Sequence, residues 1–167
     1  MELNYLVENG KVYLAVHSNV WMNFETILKD FLTEENIAFK EKYLRLKGED
    51  VLGARNVDDE SSVWISTKHS LAEICKTLIH EAIGYHYEEH EIINGKEPED
   101  EIEKITEEIW KKKSYRNLLK ENVRYLMNGS KAEARQEKEN LNTAFSFIIM
   151  KKDALRSHSC FDSHNHR

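Results

Sequence analysis

The chain has 167 residues, of which 40% are hydrophobic and 32% charged, with a formal net charge of -6. That length suffices for one compact domain with its own core, or for a domain carrying a helical extension. The negative balance argues against nucleic acid as the partner, since phosphate binding needs a basic surface, and no apolar run reaches the roughly 18 residues that span a bilayer.

The opening stretch "MELNYLVENG" has no basic segment followed by an apolar one, so no secretion signal is expected. Next, "YLVENGKVYLAV" alternates apolar residues around Asn9-Gly10, a strong short-range signal for a β-hairpin. In "WMNFETILKDFL", Trp21, Phe24, Ile27, Leu28 and Phe31 recur at helical spacing and predict one amphipathic helix. "FKEKYLRLKG" and "DVLGARNV" fit strands punctuated by Gly48 and Gly53. A polar turn over Asp58 to Ser62 then leads into a short strand, Val63 to Ser66.

From there the pattern is helical. Ser70 and Glu73 form a capping box, and Leu71, Ile74, Cys75, Leu78, Ile79 and Ala82 share one face of the helix it opens. Pro98 suits the first turn of a second helix, whose buried stripe is Ile102, Ile105, Ile109 and Trp110. "YRNLLKENVRYLM" reads as a third helix stopped by Asn128-Gly129. A second capping box, Ser130 to Glu133, predicts a fourth running to about Leu155. The expected fold class is α+β, with a small N-terminal β-sheet followed by helices, in a single domain over residues 1–156. The tail, 157–167, is expected to be disordered. Its His158, Cys160, Asp162, His164 and His166 are borderline metal donors, but chain ends are ordinarily untethered.

The segment "TLIHEAIGYHYEEH", Thr77 to His90, carries the chemistry. In a HExxH helix, two imidazoles one turn apart reach the same cation, and the glutamate after the first histidine faces the metal-bound water. Here His80 and Glu81 supply the first two positions, with Leu78, Ile79, Ala82 and Ile83 as apolar flank, but Gly84 stands where the second histidine belongs.

The stretch "VWISTKHSLAEICKTLIHEAIG" resembles the edge strand, loop and active-site helix of small zincin metallopeptidases of the ImmA/IrrE kind. The resemblance covers about Val63 to Trp110. It implies a Zn2+ cofactor, a protein or peptide substrate and a protein of phage or prophage type. A cytoplasmic location is expected separately, from the missing signal and from two distant cysteines, Cys75 and Cys160, that give no disulfide framework. His80 would be a zinc ligand and Glu81 the general base. The glutamate ligand from the following helix would be Glu103, with Asp100, Glu101 and Glu107 as register alternatives. Val63 to Ser66 would line the cleft and pair with an extended substrate.

Three arrangements would make good the missing histidine. The helix could end at Gly84, a residue type suited to the left-handed C-terminal position, and His86 could swing back toward His80. His90, ten residues after His80, has the spacing of the third histidine in HExxHxxGxxH, with Tyr87 where that pattern has glycine. Finally, His86, Glu89 and His90 spell the inverted motif HxxEH. In one continuous helix those residues fall on the face of Leu71, Cys75, Ile79 and Ala82, so the site is either buried there or the helix breaks first. The competing reading is a non-catalytic binding or regulatory protein on the same scaffold. Cys75 falls on an apolar face and reads as core; Trp21, Trp64 and Trp110 read as core anchors.

Overall fold

The computed structural model describes residues 3–55, 62–93 and 98–140. The element order is β1 (Tyr5–Glu8), β2 (Lys11–His17), β3 (Val20–Asn23), α1 (Phe24–Glu34), β4 (Asn36–Lys40), β5 (Leu44–Leu46), β6 (Glu49–Val51), β7 (Gly53–Arg55), β8 (Ser62–Ser66), α2 (Leu71–Glu89), α3 (Glu99–Trp110) and α4 (Lys113–Asn140). This is an α+β fold with a small N-terminal antiparallel sheet followed by helices. No helix among the described residues is long and apolar enough to cross a membrane. The expected turn over 58–61, the break at 94–97, the helix end near Leu155 and the donor-rich tail lie outside the described residues.

Two compact units are present, one formed by Met1–Glu35 with Leu71–Lys120 and the other by Asn36–Ser70 with Glu121–Arg167. The first begins with the hairpin that Asn9-Gly10 predicts. Both residues have positive φ, 52° and 73°, so a two-residue turn joins β1 to β2 with Glu8 opposite Lys11. β3 adds to the other edge of β2, with a register shift between Ala15 and His17. The apolar helix starts at Phe24, later than its stripe suggests. Asn23 caps it, its side chain accepting from the Glu25 N–H at 3.0 Å. Trp21 therefore belongs to β3 and is 39% exposed, not a core anchor. Phe24, Ile27, Leu28 and Phe31 are buried as the spacing requires.

In this unit α2 packs against both α1 and α3. Its buried face holds Ile74, Cys75, Leu78, Ile79, Ala82 and Ile83, and α3 contributes Ile102, Ile105 and Ile109. Tyr115, in the first turns of α4, accepts from the Val12 N–H at 2.9 Å and donates to Asn23 Oδ1 at 2.9 Å. α4 then continues unbroken through Asn128-Gly129 to Asn140. The expected stop and the second capping box do not divide it. Glycine in a helix interior weakens it by about 1 kcal/mol but ends it only by adopting positive φ, and Gly129 does not.

The second unit holds a three-stranded sheet in the order β4-β8-β7, with β8 parallel to β4 and antiparallel to β7. A hairpin, β5 with β6, turns at Lys47-Gly48, both with positive φ. Trp64 of β8 is buried, with Leu44, Ala38 and Val51 packed about it and Lys40 Nζ 3.7 Å from its ring centroid. The short strand expected at Val63 to Ser66 is therefore real, but it is central and every residue of β8 is buried. It has no free edge with which to pair an extended substrate, which corrects the cleft-lining role expected of it.

The end of α2 is set by a Schellman motif. Ile92 N–H donates to the Tyr87 carbonyl at 2.8 Å, Glu91 N–H donates to the Glu88 carbonyl at 3.0 Å, and Glu91 takes φ 55°. The left-handed position is thus filled by Glu91, seven residues beyond Gly84. A side chain there is strained, and a carboxylate opposes the helix dipole. Glu91→Gly is expected to stabilise the protein by about 0.5–1 kcal/mol, read as a higher urea midpoint with an unchanged slope. An unchanged or lower midpoint would contradict this assignment of the cap.

Candidate functional site

All the sequence-predicted site residues lie in the first unit, on α2 and α3 or just beyond α2. Because α2 is continuous from Leu71 to Glu89, its helical period fixes where each side chain leaves the axis. His86 departs roughly 120° away from His80, and position 90 roughly 80° away. The first repair, a helix ending at Gly84, does not occur; Gly84 is a buried interior residue of α2 with no positive φ.

His80 is 22% exposed, and its Nε2 lies 2.8 Å from Glu99 Oε2 at the start of α3. Glu103, the expected glutamate ligand, is exposed one turn further along α3. Among the register alternatives, Glu107 pairs instead with Lys76 at 3.1 Å. Glu81 is half-buried beside His80.

His86 is only 3% exposed. Its Nε2 carries the proton and donates to the Ala15 carbonyl at 2.9 Å, at the irregular register of β2. The next residue reaches the same region: the Tyr87 hydroxyl donates to the Asn4 carbonyl at 2.9 Å, which also accepts the Ala15 N–H at 3.1 Å. Burial drives the His86 pKa down from 6.5 to about 4, helped by the neighbouring His90 and opposed by the Ala15 hydrogen bond and Asp30. The imidazole is neutral at ordinary pH. His90 is exposed just past the helix end, its ring centroid 4.6 Å from that of His86.

Thus of the HxxEH residues only His86 is buried, where it serves as a hydrogen-bond donor to the sheet, while Glu89 and His90 are exposed. Zinc requires three protein donors converging on one point. Among the described residues no three His, Cys, Asp or Glu side chains are grouped so as to hold an ion. His86 and His90 lie side by side, but His80, His86, His90 and Glu103 do not converge on one point, and the donor set that the resemblance implies does not fit the metal.

No family model, curated protein or solved structure matches this chain.

The contacts of His80 with Glu99 and of Lys76 with Glu107 escape sequence reading, although Glu99 sits one turn before the expected Glu103. At the other end of α2, Tyr85 packs on Phe31 of α1 with ring centroids 5.5 Å apart. Burial and the carboxylates of Glu89, Glu34, Glu35 and Asp30 push its hydroxyl up to about 12. The C-terminal ends of α1 and α2 therefore form an acidic end of the unit. Cys75 is fully buried, a core position as expected.

Proposed function

We propose that this protein is a non-catalytic binding or regulatory protein that carries a zincin-like helix without its metal chemistry. One observation carries the reading: α2 runs through Gly84 without a break, so His86 enters the core and donates to the Ala15 carbonyl. A peptidase of the ImmA/IrrE kind needs a second imidazole beside His80, and a buried, neutral His86 roughly 120° round the helix does not supply it. The central position of β8 supports the same reading, because a substrate strand would find no edge there. The expected working compartment is the cytoplasm, with a protein as partner.

The test uses full-length protein purified without a histidine tag. Zinc content and cleavage of a denatured protein substrate are measured for the wild type and for His80→Ala. The expected result is no zinc that depends on His80 and no cleavage in either protein. Zinc near one equivalent in the wild type that disappears in His80→Ala, together with cleavage, would establish the peptidase instead. Zinc insensitive to His80→Ala would report the donor-rich tail and leave the non-catalytic reading standing.

A further inference from the structure

We infer that the polar edge of α2 has been taken over as a seam for α3, so that supplying the missing histidine at position 84 would not create a metal site. The inference rests on the non-catalytic reading above and goes beyond it, since a site that had merely lost one ligand would be restored by returning that ligand.

Two contacts define the seam: Lys76 Nζ to Glu107 Oε1 at 3.1 Å, and His80 Nε2 to Glu99 Oε2 at 2.8 Å. Lys76 and His80 are one turn apart on α2. Glu99 and Glu107 are two turns apart on α3, and the pairing runs in opposite chain directions, as two antiparallel helices require. The imidazole nitrogen that would meet an ion is thereby held against a carboxylate of the neighbouring helix. Along the same edge of α2, burial deepens toward its C-terminal end. Lys76 and His80 are partly exposed, whereas Gly84 is buried and Tyr87 is fully buried with its hydroxyl on Asn4. An imidazole at 84 would have to displace packed atoms before it could face His80.

The experiment is a zinc titration of Gly84→His beside the wild type, read by thermal unfolding and by bound zinc per chain. Any tail-bound zinc is common to both proteins and cancels. The expected outcome is a melting temperature below that of the wild type, with no zinc-dependent rise and no zinc beyond the wild-type amount. An additional equivalent of zinc with a rise of several degrees would overturn the inference. Should Gly84→His fail to fold, Glu99→Gln carries the test, because it frees His80 in an otherwise native protein. Amide exchange in α3 is then expected to quicken about two- to fivefold, the scale of one partly exposed side-chain contact, with zinc uptake unchanged. Unchanged exchange, or a gain of zinc, would overturn the inference. Extra zinc confined to Gly84→His contradicts the seam alone, whereas wild-type zinc lost in His80→Ala contradicts the non-catalytic reading itself.

Discussion

His86→Ala is expected to destabilise the protein by about 3 kcal/mol while leaving its zinc content unchanged. Two losses combine. The Ala15 carbonyl forfeits its buried donor, costing about 1–3 kcal/mol, and removing a ring from a position 3% exposed leaves a cavity that the neighbours close only in part. A metal-ligand role would give another pattern, with bound zinc falling and metal-free stability little changed. Urea unfolding at pH 7.5 separates the two.

The same residue governs a pH effect whose sign is fixed. The folded pKa of His86, about 4, lies below the unfolded value of 6.5, so between these pH values the unfolded chain binds more protons. The contribution is fully present above pH 6.5 and is lost as pH falls from 6.5 to about 4, amounting to at most about 3 kcal/mol. Groups facing His86 include His90, which opposes its protonation, and Asp30, which favours it. The quantity to follow is the difference between the wild type and His86→Phe. That difference should shrink steadily from pH 7 to pH 4. A difference independent of pH would show that His86 is not held neutral by burial.

Tyr115→Phe is the second large effect, expected at about 2 kcal/mol. The hydroxyl accepts the N–H of Val12, a fully buried residue, and donates to Asn23 Oδ1, the same atom that caps α1 through Glu25 N–H. Its removal leaves a buried donor without its partner and loosens the cap at once. Asn23→Ala alone should cost about 1 kcal/mol. Because the two residues share one bond, the double variant should cost less than the sum of the single ones. Strict additivity in urea unfolding would contradict this node.

Local chemistry made much of the fold legible. Asn9-Gly10 specifies a two-residue turn by itself, Pro98 opens α3, and of the expected stripe Ile102, Ile105 and Ile109 are buried where the helical period puts them, while Trp110 is only half-buried. What was not legible is non-local. The parallel pairing of β4 with β8 leaves no mark within either strand, and it turned an expected edge into the middle of a sheet. The hydrogen bond from His86 to Ala15 spans 71 positions of sequence. Glycine misled twice, at Gly84 and at Gly129, because the residue permits a helix to end without compelling it. In α2 the buried side chains on both flanks of Gly84 favour continuing the helix, and the termination falls to Glu91, whose sequence gives no sign of it. For the candidate site, His80 was expected as a zinc ligand shared with Glu103; the side chain it meets on α3 is Glu99.

The central claim is that α2 is one helix through Gly84, with His86 turned away from His80. Backbone carbon chemical shifts and amide exchange over residues 81–89, recorded by NMR with and without one equivalent of zinc, test it most directly. Unbroken helical shifts across Gly84, with slow exchange at Tyr87 and no response of the His80 or His86 rings to zinc, are the expected result. Loss of helical shifts at Gly84, or joint movement of the His80 and His86 ring signals on adding zinc, would contradict it.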